Sequence, residues 1–167
     1  MHYWIDGYNL LFRVPYSSKT PLQQKRQDLI VELNMQAQAL GIAITVVFDA
    51  FDKEKNLDMR THYKDLEIIY ATSKQTADEA ILDTLERSKS PSNICVVTSD
   101  NDLARKAKVL KASILSLKDF LEFLRKRHKK ESQREVDWKD SPKEISRLLQ
   151  IFEEKLSKSP KKPSTGI

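Results

Sequence analysis

Apolar runs of strand length alternate along this chain with stretches in which apolar residues recur every three or four positions. His2–Ile5 reads as a first strand that runs straight into an acid, Asp6. Ile42–Phe48 (IAITVVF) is apolar and β-branched, the mark of a strand covered on both faces. Leu66–Tyr70, Ile94–Thr98 and the short Ser113–Leu115 complete a set of five strands. Helical patterns lie between them. Thr20 and Pro21 suggest an N-cap followed by proline at the first helical position; Leu22, Leu29, Ile30, Leu33, Ala37 and Leu40 then share one face, and Gly41 supplies the stop. Thr76–Ser88 carries Ala77, Ala80, Ile81 and Leu85 on one side, and Leu103, Ala107 and Leu110 mark a further helix. Strand and helix in strict alternation predict a parallel sheet with right-handed crossovers and helices on both faces.

The pattern changes beyond residue 116. Ser116 with Asp119 resembles a capping pair ahead of an apolar stripe (Phe120, Leu121, Leu124) that leads into RKRHKK. After a polar joint, Ser141-Pro142-Lys143-Glu144 opens a last helix with Ile145, Leu148, Leu149, Phe152 and Leu156 on one face. SKSPKKPSTGI follows, too polar to hold a core and expected to be disordered. The chain therefore divides into a body at 1–125, a basic helical extension at 126–156 and a tail at 157–167.

With 167 residues, 40% hydrophobic and 32% charged, there is material for one domain with appendages. No apolar run has membrane-spanning length, and the N-terminus lacks the layout of a signal peptide. The one cysteine, Cys95, sits in an apolar run; it excludes an internal disulfide or a multi-cysteine zinc site and suits a core thiol in a reducing cytoplasm. The net charge of +5 is uneven: residues 1–124 hold 16 Lys and Arg against 17 Asp and Glu, residues 125–167 hold 13 against 7. A basic C-terminal piece on a near-neutral body suits an anionic partner, nucleic acid above all, or a solvated tail. With three glycines, the chain has neither GxGxxG nor a P-loop, and neither HExxH nor GxSxG.

Asp6 follows the first strand, Asp49 the second, Asp100 and Asp102 the fourth, and the loop after the third leads to Asp78 and Glu79 at the start of a helix. Asp and Asn are ordinary turn and cap residues, so any one case means little. Four parallel units that all place an acid at the carboxyl edge mean more, because ligands of open α/β sheets bind there. Clustered carboxylates repel one another unless protons or a cation intervene. An oxygen-seeking Mg²⁺ or Mn²⁺ resolves this, and an acidic metal site beside basic surface points to phosphodiester chemistry.

DGYNLL at 6–11, VVFDA at 46–50, TADEAI at 76–81 and VVTSD at 96–100 together resemble the NYN domain of the YacP type, in the PIN-like nuclease superfamily. The resemblance covers roughly 1–125. It implies a three-layer α/β fold with a five-strand parallel sheet in order 3-2-1-4-5, and a Mg²⁺- or Mn²⁺-dependent endoribonuclease acting on single-stranded RNA, with ribosome-associated mRNA among the candidate partners. By the same resemblance, Asp6, Asp78 and Asp100 match the acids expected to hold metal. Asn9 matches a hydrogen-bonding asparagine, and Asp49 the acid that closes the second strand. Two positions depart from the pattern: the SDND turn makes Asp102 a further candidate ligand, and Gln75 stands where an acid is expected.

The segment FDKEKNLDMRTHYKD reads as an exposed loop, where Arg60, His62, Tyr63 and Lys64 suit RNA phosphates and bases. Arg125, Lys126 and Arg127 suit either RNA or the cation-favouring end of a helix. The last helix docks on the body or on a partner. Two functions remain in play, a metal-dependent ribonuclease and a non-catalytic module that binds RNA or ribosomes. A DNA-directed nuclease is a third.

Overall fold

The structure, a computed structural model, describes residues 1–13, 18–50 and 59–134. The expected last helix and tail lie outside the described residues. The elements are β1 (His2–Asp6), α1 (Gly7–Arg13), α2 (Leu22–Leu40), β2 (Ala43–Phe48), β3 (Met59–Tyr63), β4 (Leu66–Tyr70), α3 (Ala77–Arg87), β5 (Ile94–Val97), α4 (Asn101–Val109), β6 (Ser113–Leu115) and α5 (Leu117–Arg134), with one 3₁₀ turn at Pro91–Asn93. They form a six-stranded sheet in the order β3-β4-β2-β1-β5-β6. All neighbours pair in parallel except β3 with β4. The five expected parallel strands stand in the expected order, and the antiparallel edge strand β3 is an addition. It corrects the loop reading of the segment before residue 65: Arg60, Thr61 and His62 pair with Ile69, Ile68 and Glu67.

Alternation along the strands splits the core in two. Tyr3, Ile5, Ile44, Val46 and Phe48 face α1, α2 and α5, where Phe48 and Phe120 are fully buried. Trp4, Val47, Ile69 and Val96 face α3 and α4. Helix α2 ends as expected at Gly41, in the left-handed region at φ 58°, with its N–H on the carbonyls of Ala37 and Gln38. Its start differs: Pro21 occupies the cap position and Leu22 is exposed, so the buried stripe begins further along. The Ser116–Asp119 pair caps α5, Ser116 Oγ accepting the Asp119 amide at 3.0 Å. Cys95 is buried, and burial pushes its thiol up to about 11, as a core thiol requires. Among the described residues no helix is long and apolar enough to cross a membrane.

Candidate active site

β1 lies between β2 and β5, so the connections diverge on either side of it and leave a crevice at its carboxyl end. Asp6 sits there, 9% exposed. The chain turns at once into α1, and Gly7 permits this: a Cβ on it would lie 2.5 Å from the Phe48 ring. α1 returns the Asn9 amide to Asp6 Oδ1 at 3.2 Å, while Asn9 Oδ1 accepts the Ser99 amide at 3.1 Å, tying α1 to the end of β5. Asp49 accepts the Ala77 amide at 2.7 Å and so fixes the start of α3 to the end of β2. Thr76 and Glu79 close a capping box there, which sets Asp78 in the first turn of α3. Asp100 caps α4, accepting the amides of Asp102 at 2.7 Å and Leu103 at 3.0 Å. The turn-and-cap reading thus holds for Asp49 and Asp100, which stand with Asp6 at the carboxyl edge of the sheet.

Burial, more than any neighbour, pushes Asp6 up to about 7; the Asn9 amide works against it, and the charges of Asp78 and Asp49 add to it. Asp78 is also raised, by burial first and then by Asp100. Asp6 feels the charges of Asp78 and Asp49, and Asp78 those of Asp100 and Asp49, so neighbouring carboxylates on separate segments hinder the ionisation of both.

Asp102 is turned elsewhere. Exposed on α4, it is held below the usual carboxylate range by Lys106 at 2.7 Å and Arg105 at 2.6 Å. Lys106 was not singled out in the sequence, although its i,i+4 spacing from Asp102 was the available signal; its charge reaches Asp78. Among the basic residues, Arg60 pairs with Glu67 at 3.3 Å. His62 and Lys64 sit where β3 turns into β4, at the end of the sheet opposite the carboxylates, with Lys64 at φ 53°. Arg125 and Lys126 pair with Glu122 at 3.9 and 2.9 Å, and Arg127 lies 5.8 Å over the Phe123 ring. Phe123 packs on Tyr3, in the amino half of β1, so this basic patch also lies away from the acids.

Among the described residues no three His, Cys, Asp or Glu side chains are close enough to form a ready-made metal cage. The donor chemistry nonetheless fits a hard cation: carboxylate oxygens from separate elements at one edge of the sheet, with Asp6 and Asp78 held above the usual carboxylate range.

Sheet and crevice together define the class, an α/β protein with a mostly parallel sheet and a carboxylate site at its topological switch point. A family model for the YacP-like NYN domain matches residues 3–161, and the chain belongs to that family. The match takes in the segment after residue 125 that the four motifs leave out. Among solved structures the chain is similar to Rae1 (YacP) from Bacillus subtilis at 22% identity and a TM-score of 0.61, over 92% of this chain and 89% of that one. It is similar to a tryptophan-to-leucine mutant of the same protein at 21% identity and a TM-score of 0.62, over 91% and 92%. Both likenesses concern the fold. No curated protein matches significantly.

Proposed function

We propose that this chain is a Mg²⁺- or Mn²⁺-dependent endoribonuclease that hydrolyses phosphodiester bonds of single-stranded RNA at the carboxyl edge of its sheet. The observation that carries the reading is that the buried Asp6 stands together with Asp49, Asp78 and Asp100 at the carboxyl edge of the sheet, in a chain of the YacP-like NYN family. Acids forced this close serve a pure binder of phosphates badly, since they repel its ligand. Asp6, Asp78 and Asp100 would hold the ion. When bound, it supplies charge that polarises the phosphate and lowers the pKa of an attacking water.

The other residues prepare the site. Asn9 spends its carbonyl on the Ser99 amide and so presents its NH₂ as a donor toward phosphate or a bound water. Asp49 holds Asp78 in place through the start of α3. Asp102 restrains Lys106, a cation within electrostatic reach of Asp78. Arg60, His62, Lys64, Arg125, Lys126 and Arg127 would add phosphate contacts away from the reacting bond. RNA on ribosomes is a candidate partner, and a cytoplasmic setting accords with the one buried thiol.

The test is purified protein on single-stranded RNA and DNA, with Mn²⁺, Mg²⁺ or EDTA and an Asp6→Asn control. RNA cut internally only with metal, and not by the control, is the expected result. RNA bound but intact would make the chain a binding module, and preferential cutting of DNA would change its substrate.

A further inference from the structure

On the α3 face of the sheet, α3 and the β3–β4 edge enclose a cleft of about 420 Å³. Trp4 and Ile69 line it from the strands, Ala80, Thr84 and Arg87 from α3, and Arg60 from β3. Trp4 is 5% exposed, yet its indole N–H has no acceptor among the described residues. A buried donor left without a partner carries its full desolvation penalty, so each such group asks for an explanation. The cleft is also an unusual mixture, an aromatic and aliphatic lining with two guanidinium groups.

Those cations are held but not consumed. Arg60 is fixed by Glu67 at 3.3 Å; Glu67 accepts from Thr45 at 2.6 Å, and Thr45 is bonded to His2 at 2.7 Å. Arg87 meets Asp83 at 3.1 Å through one nitrogen. Each pair engages one atom of a group with five N–H donors, and exposed pairs of this kind are weak. Gln75, three residues before Asp78, lines the end of the cleft nearer the acids. A strand leaving the acids along α3 meets Arg60 and Arg87 there, with Asp83 beside Arg87 as the one acid among the described lining residues.

We propose that the cleft between α3 and the β3–β4 edge is a subsite for single-stranded RNA, holding a nucleotide beyond the cut bond with its base at Trp4 and its phosphates at Arg60 and Arg87. This rests on the ribonuclease reading above. A base seated edge-on in the cleft supplies carbonyl oxygens for the indole N–H of Trp4, which lies just under the cleft floor. Arg60 thereby lies nearer the acids along the RNA than His62 and Lys64, whose phosphate contacts fall at the far end of the sheet.

The experiment compares wild type, Arg87→Gln and the cleft-filling Thr84→Leu on a long single-stranded RNA and on a dinucleotide, whose one phosphodiester is the bond cut. Arg87 is exposed and Thr84 half-buried at the cleft, neither in the core, and circular dichroism confirms folding. On the long strand each variant should raise KM by on the order of tenfold, as the loss of one bound nucleotide implies, and Arg87→Gln should flatten its salt slope by about 0.7. On the dinucleotide all three enzymes should act alike. Unchanged KM and salt slope on the long strand, or equal losses on both substrates, would overturn the subsite. A wild type that cuts neither substrate sinks the ribonuclease reading instead. A second measurement is independent of turnover: in a Trp138→Phe background, RNA in EDTA should change Trp4 fluorescence, and the change should vanish with Thr84→Leu. No change at saturating RNA would overturn the proposal.

Discussion

Asp6 accepts an amide from Asn9 but is buried beside Asp78 and Asp49, and burial makes its stability contribution run against its expected role. Its pKa is 3.8 when unfolded and about 7 when folded. Below pH 4 both states hold the proton and the native state is favoured in full. Between pH 4 and 7 the unfolded chain releases its proton first, so stability falls as pH rises, and above 7 the loss is complete. Metal-free protein should therefore melt at lower temperature at pH 8 than at pH 5, and Asp6→Asn should raise the melting temperature at pH 8; a flat profile in EDTA would contradict this. Asp100→Asn isolates charge from capping, since Asn caps a helix about as well as Asp. It should leave stability within about 1 kcal/mol, yet lower RNA cleavage on the order of 10³-fold, as the loss of a preorganised electrostatic group does. Urea titration and single-turnover kinetics check the two halves. The positions of these acids were legible because strand ends in a parallel sheet converge on one edge. The ion pairs of Asp102 and the bond from Asn9 to an amide 90 residues away rest on tertiary distances and were not.

Elements that are buried on both faces announced themselves, and those at the rim did not. β2 and β5 are runs of apolar residues, Thr45 alone excepted and hydrogen-bonded to Glu67 and His2, because an unpaired polar group there would be costly. β3 reads MRTHY, an edge strand without an apolar run, and its turn uses Lys64 and Asp65 where a glycine or asparagine would have signalled a hairpin. α1 has 7 residues, too few to establish a helical period. Its position depends on Gly7, so Gly7→Ala tests whether the turn builds the site. With Phe48 fully buried, the ring has nowhere easy to go. The substitution should cost about 1–3 kcal/mol, in the range of overpacked cores, and should weaken cleavage by displacing Asn9. Denaturant melts that match wild type would mean that α1 yields freely.

At the level of the whole molecule, the strand order came from the resemblance of four motifs rather than from any spacing, since alternation alone predicts a parallel sheet without ordering it. Charge adds a second division. The near-neutral body carries the acids, while residues 125–167 hold 13 Lys and Arg against 7 Asp and Glu. Arg125, Lys126 and Arg127 lie on α5 over the amino half of the sheet, remote from the reacting bond, so they should set affinity and leave chemistry alone. Replacing the three with Gln should flatten the salt dependence of RNA binding by up to about 2 in log–log slope, with the maximal cleavage rate kept. An unchanged slope would reduce the patch to a solvated helix face. The central claim, that one divalent ion site is built from Asp6, Asp78 and Asp100, is tested most directly by anomalous diffraction from crystals of cleavage-competent protein soaked in Mn²⁺. The account predicts a peak about 2.0–2.3 Å from carboxylate oxygens of at least two of these residues. Protein that cuts RNA but shows its Mn²⁺ elsewhere, or none at this edge, would contradict it.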